Sequence, residues 1–253
     1  MDLLPALPSG ATLGWLLAAA LAGGLARGFS GFGAALIFVP LASIGLGTRQ
    51  AAPLMLVLEV LAVALLTPAA WRIADRREVG WLALGAAAGT PLGAAVLALA
   101  DPLALRWGVA LAILGLLGLL VTGWRFRGVP SRPVTLGVGL AGGVLGGVAM
   151  VSGPPVMAYL LGREGTARQL RADFALYLAA GAVFAGIAYA AAGLLGPALV
   201  APVLVAAPAY WLGILGGTRI FGLASERAFR HACFGMIALA ALLSLPAWDG
   251  LLR

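Results

Sequence analysis

From Thr12 to Pro246 the chain is a succession of long apolar runs, and the gaps between them are short and rich in Arg. A bilayer core about 30 Å thick takes about 20 apolar residues of helix to cross. In lipid every backbone N–H and C=O must be satisfied within the segment or within a closed barrel, so runs of this length fold as α-helices. Composition agrees: the 253 residues are 62% hydrophobic and only 10% charged, more apolar material than a soluble core of this size can use.

The formal net charge of +7 comes from sixteen basic residues, all Arg, placed in clusters between the runs. That distribution follows membrane topology rather than a phosphate-tracking patch, so no nucleic-acid partner is expected. Cys233 and His231 are single residues of their types, which excludes an internal disulfide and the usual zinc or haem sites; no cofactor or metal is expected. The start of the sequence carries Asp2 and no basic residue, unlike a signal peptide.

Two breaks stand out. Arg27-Gly28-Phe29-Ser30-Gly31-Phe32-Gly33 interrupts the run from Thr12 to Leu46, and Met150-Val151-Ser152-Gly153-Pro154-Pro155 interrupts a run from Val134. As one helix the first run would be about 50 Å long, beyond the bilayer core. The spacing therefore predicts helix 1a over Thr12 to Arg27 and 1b over Gly31 to Leu46. Single helices follow over Ala51 to Ala70, Val79 to Ala100 and Leu103 to Gly123. Helix 5a is expected over Val134 to Met150 and 5b over Pro154 to Gly162, then helices over Gln169 to Gly193, Pro197 to Gly217 and Ala228 to Pro246. If each broken pair is a hairpin returning to its starting side, Arg72, Arg76, Arg77, Arg125, Arg127, Arg132, Arg163, Arg168, Arg171, Arg219, Arg227 and Arg230 share one side. Arg49, Arg106 and Arg253 then lie opposite, and Arg27 lies within the membrane. The positive-inside rule selects this arrangement and puts both termini outside the cytoplasm.

The expected fold class is an all-α polytopic membrane protein of two inverted-topology repeats in one membrane domain. Residues 1–123 and 124–253 each form a broken-helix hairpin plus three helices. Echoes support it: Ala22-Gly23-Gly24-Leu25 with Ala141-Gly142-Gly143-Val144, Gly47-Thr48-Arg49-Gln50 with Gly165-Thr166-Ala167-Arg168-Gln169, and Leu105-Arg106 with Phe229-Arg230.

Broken backbone inside a bilayer is tolerated where it is buried in protein or lines a cavity, so the breaks form the candidate substrate site. A helix that begins there presents unpaired N–H groups and the positive end of its dipole, which suits an anion. The candidate binding residues are Arg27, Gly28, Phe29, Ser30 and Gly31 at the first break and Ser152, Gly153 and Pro154 at the second. The bland alternative is a pair of tight bends lined by small residues. Arg27 binds the anion, snorkels to an interface or pairs with Glu59, a carboxylate amid apolar residues in helix 2 and the candidate for proton coupling. Asp173 reads as an interfacial ion pair with Arg168 and Arg171. Gly85, Gly89 and Gly93, and Gly213 with Gly217, read as close helix packing. Gly28-Phe29-Ser30-Gly31 also fits the GxSG pattern of intramembrane serine proteases, which requires a base such as His231 within reach.

These features together resemble the TauE/SafE sulfite exporter family, also called the TSUP family. The resemblance is carried by Gly28 to Gly33 followed by Pro40-Leu41, Gly47 to Ala51, Gly85 to Gly93, Gly142 to Pro154 and Gly213 to Arg219. It implies a secondary transporter of a small inorganic or organic sulfur anion (sulfite, thiosulfate or a sulfonate) in a bacterial inner membrane. Alternating access around a midplane site and a proton or sodium gradient as the driving force are the matching expectations. A passive anion channel of the same fold is the alternative, and the protease is a further one. Where the family often carries a glycine-rich run after the first Ser-Gly, this chain has Gly33-Ala34-Ala35.

Overall fold

The structure, a computed structural model, describes residues 10–31, 33–128, 131–221 and 226–248, with the backbone alone at positions 30, 220, 221 and 226–230. Asp2, Phe32 and Arg253 lie outside the described residues, as do the side chains of Ser30, Arg227 and Arg230. The described chain is all-helical: α1 (Gly10–Ser30), α2 (Ala34–Leu46), α3 (Thr48–Ile73), α4 (Arg76–Leu99), α5 (Pro102–Thr122), α6 (Arg132–Ala149), α7 (Gly153–Leu160), α8 (Ala167–Ala191), α9 (Val200–Phe221) and α10 (Glu226–Leu243). Among the described residues seven helices are long and apolar enough to cross a membrane. Leu65, Leu99, Val183, Ile187, Leu204 and Leu212 are exposed, as lipid-facing side chains are in a bilayer.

Local chemistry sets the helix ends. Asp75 Oδ1 accepts the N–H groups of Arg77 and Glu78 at the start of α4, Asp101 Oδ1 those of Leu103 and Ala104 at the start of α5, and Thr166 Oγ1 that of Gln169 in α8. Gly47, with φ of 75°, ends α2, and its N–H returns to the Ser43 carbonyl.

The chain forms two compact units, each assembled from separated stretches. The first comprises residues up to Leu58, Ala100–Leu117 and the chain from Leu194; the second comprises Glu59–Leu99 and Gly118–Gly193. In the first unit α2 runs back along α1. A Cβ on Gly23 would sit 3.2 Å from Phe38 Cβ, and one on Gly45 would sit 2.8 Å from Thr12 Cγ2, so α2 ends beside the start of α1. α1 also packs on α9, and α10 on α2. Arg106 Nη2 donates to the Ser244 carbonyl at 3.1 Å, and Arg49 Nη2 to that of Ala100 at 2.7 Å. In the second unit α7 runs back along α6 in the same way. Gly146 faces Ser152 and Gly142 faces Val156, and Thr135 Oγ1 lies 2.7 Å from Tyr159 Oη. α4 packs closely on α6 and also on α8.

Glycines make both main interfaces. On α1 and α9, a Cβ on Gly24 would strike Tyr210 and Ile214, one on Gly28 the Ile214 carbonyl, one on Gly213 Leu21 and Leu25, and one on Gly217 Leu25 and Phe29. On α6 and α4, Gly143 meets Ala86 and Thr90, Gly147 the Thr90 carbonyl, Gly89 Leu140 and Val144, and Gly93 Val144 and Val148. The two sets correspond residue for residue. One constant offset carries Leu21, Gly24, Leu25, Gly28 and Phe29 onto Leu140, Gly143, Val144, Gly147 and Val148. A second carries Ala86, Gly89, Thr90 and Gly93 onto Tyr210, Gly213, Ile214 and Gly217. Backbone-to-backbone packing of this kind holds helices together in lipid, where apolar burial supplies no drive.

Candidate functional site

At the first break α1 does not stop at Arg27. It continues through Gly28 and Phe29 to Ser30, because Gly28 serves the α9 interface and leaves the helix intact. Gly31 adopts φ of 75° and its N–H donates to the Arg27 carbonyl at 2.9 Å; the Arg27 guanidinium donates to the Gly31 carbonyl. A buried cation is thus placed on the negative end of a helix dipole. Gly33, with φ of 89°, precedes α2, which begins at Ala34 rather than at the expected Gly31. The first-turn N–H groups of α2 therefore belong to Ala34 and Ala35, both buried, while Gly31 N–H completes α1. Glu59 is buried in the middle of α3.

At the second break α6 ends at Ala149. Met150 takes the left-handed conformation at φ of 59°, its N–H donating to the Gly146 carbonyl, and Val151 N–H reaches Leu145. This is the helix-ending geometry that glycine usually supplies, and Gly31 holds the matching place after α1. Ser152 precedes α7 without capping it through its side chain, and α7 starts at Gly153, one residue before the expected Pro154. Pro154 and Pro155 have no N–H, so Gly153 alone brings a donor among the first three residues of α7. By the relation of the hairpins, Ser30-Gly31 closes the outgoing helix, whereas Ser152-Gly153 opens the returning one.

At a rise of 1.5 Å per residue α1 and α6 are about 32 and 27 Å long, while α2 and α7 are about 20 and 12 Å and too short to cross a bilayer alone. Each hairpin is thus one long helix and a partial return, rather than two equal halves.

Several polar residues of the second unit escaped the sequence reading. Glu78 Oε1 accepts from Tyr159 Oη at 2.7 Å and Thr135 Oγ1 at 3.1 Å, and Arg163 approaches Glu78 and Asp75 at 3.6 and 3.7 Å. Arg77, Trp81, Ser131 and Arg132 complete the lining of a cavity of about 250 Å³. Asp173 belongs beside this group. It is 1% exposed, and its Oδ1 accepts the Asp75 N–H at 2.6 Å, while Arg168 and Arg171 are exposed. The expected interfacial ion pair is corrected: a carboxylate near a helix start finds its partner on another helix junction. Tyr177 and Tyr189 on α8 are fully buried near the second break. Spacing along the chain carries no sign of these meetings, which depend on how α4, α6, α7 and α8 pack.

Helices long and apolar enough to span a bilayer, two of them followed by partial returns, define the class: a multi-pass α-helical membrane protein. Within that class the chain belongs to the sulfite exporter TauE/SafE family, whose model matches residues 16–244. No curated protein and no solved structure matches it.

Proposed function

We propose that this protein is a secondary transporter of a small sulfur-containing oxyanion, of the sulfite, thiosulfate or sulfonate class, working by alternating access in a bacterial inner membrane. The observation that carries the reading is the pair of returning helices, each starting at a break within apolar chain of a family named for sulfite export. Arg27, Gly28, Phe29, Ser30 and Gly31, together with the Ala34 and Ala35 N–H groups at the start of α2, are the proposed binding residues at the first break, and Ser152, Gly153 and Pro154 are those at the second. The two halves of the chain are inverted repeats, which the matching glycine interfaces support. Both termini face away from the cytoplasm, and no metal or cofactor takes part.

Purified protein in proteoliposomes tests this. Uptake of radiolabelled sulfite or thiosulfate against its gradient, abolished when the proton or sodium gradient is collapsed, is expected. Downhill flux alone would make the protein a channel, and no flux of sulfite, thiosulfate or a sulfonate would remove the reading. Glu59 is the proposed coupling group. Glu59→Gln is expected to lose uphill uptake while keeping substrate exchange. Instability of that variant, rescued by Arg27→Gln, would instead make Glu59 a structural partner of Arg27.

A further inference from the structure

Tyr177 lies on α8 with its side chain fully enclosed, and its hydroxyl has no hydrogen-bond partner. Gly142 leaves open the space in which that hydroxyl stands. A Cβ on Gly142 would be 2.5 Å from Tyr177 Oη, 2.9 Å from Val156 Cγ2 and 3.5 Å from the Ser152 carbonyl oxygen. The hydroxyl, Val156 in the first turn of α7 and the carbonyl of Ser152, which precedes α7, thus all border the space at Gly142 that only a residue without a side chain leaves open. Buried hydroxyls are almost always paired, and Phe would fill the same volume without that requirement. Tyr189 shows the ordinary arrangement nearby: its hydroxyl donates to the Gly146 carbonyl at 3.3 Å.

The same end of α7 is short of donors. An oxyanion presents several terminal oxygens, each an acceptor, and Pro154 and Pro155 withhold two of the N–H groups that a helix start normally offers. A phenolic O–H is a donor of suitable strength, and it comes on a rigid ring with few rotamers.

We propose that the Tyr177 hydroxyl donates a hydrogen bond to the sulfur oxyanion at the second break, making up for the donors the two prolines remove. Gly142 leaves the hydroxyl its room. This role rests on the anion-transport reading and adds a binding group to the same site.

The test is binding of sulfite, thiosulfate, sulfate and methanesulfonate to the full-length protein in nanodiscs, with melting temperature measured in parallel. Tyr177→Phe is expected to weaken binding roughly tenfold or more, the range for a hydrogen bond to a charged group, with an unchanged or raised melting temperature. Tyr189→Phe is expected to lower the melting temperature and leave affinity alone. Tyr177→Phe that binds within about twofold of the native protein would overturn the proposal while leaving the transport reading standing. A native protein that binds none of the four anions would remove both.

Discussion

Gly28 and Gly31 stand three residues apart and do different work. A side chain at Gly28 meets the Ile214 backbone, whereas Gly31 has φ of 75° and nothing within 4 Å of an added Cβ. Gly28→Ala must push two helices apart, at a cost of about 1–3 kcal/mol or more. Gly31→Ala carries only left-handed strain of about 1–2 kcal/mol, and Gly31→Asn less. Thermal melts in detergent should rank Gly28→Ala lowest and Gly31→Asn nearest the native protein; the reverse order would mean the α1–α9 contact is looser than described. Asp173 offers a second test. Asp173→Asn keeps an acceptor for the Asp75 N–H and should change stability little, while Asp173→Leu strands that N–H and should cost about 1–3 kcal/mol. Equal melting temperatures for the two variants would show that the hydrogen bond contributes nothing.

Among elements, the glycine interfaces decide which helices travel together. Gly89→Leu in α4 and Gly213→Leu in α9 occupy corresponding places, so both should prevent a monodisperse protein from being isolated by size-exclusion chromatography. Gly115→Leu in α5, with open space around it, should behave as the native chain. A well-behaved Gly213→Leu variant would break the correspondence between the two interfaces. These helices also show how far sequence reading reaches. The fourfold spacing of Gly85, Gly89 and Gly93 announces a flat face, and the echo of Gly23-Gly24 in Gly142-Gly143 announces a related one. Neither says which flat face meets which, because spacing fixes shape and not partner. The long apolar helices followed from hydropathy. The end of α1 was misplaced for a physical reason: Gly28 weakens a helix in water, but in a membrane helix it is the packing surface itself, so the helix runs on to Ser30. The group of Glu78, Thr135, Tyr159 and Arg163 was illegible because its members lie on three helices and the loop after α7, at Arg-rich ends where charge is expected anyway.

At the scale of the molecule, the compact units are not the halves of the chain. α1 from the first half packs on α9 from the second, and α6 from the second packs on α4 from the first. Residues 1–123 and 124–253 made as separate polypeptides should therefore accumulate only when produced together, and co-purification on a tag carried by one fragment would show it. Recovery of either fragment alone at native yield would contradict this. A periplasm-active reporter joined after Arg253 should be active, and a cytoplasm-only signal would reverse the proposed orientation. The pairing of α1 with α9 also bears on biosynthesis. α4 meets α6 soon after both leave the ribosome, but α1 waits for α9 until α2 to α8 have been translated. During that interval its glycine-lined face is met by lipid or by the insertion machinery. Stalled or truncated products that end before α9 would hold α1 with that face uncovered, a ready mark for membrane proteases that clear incomplete proteins.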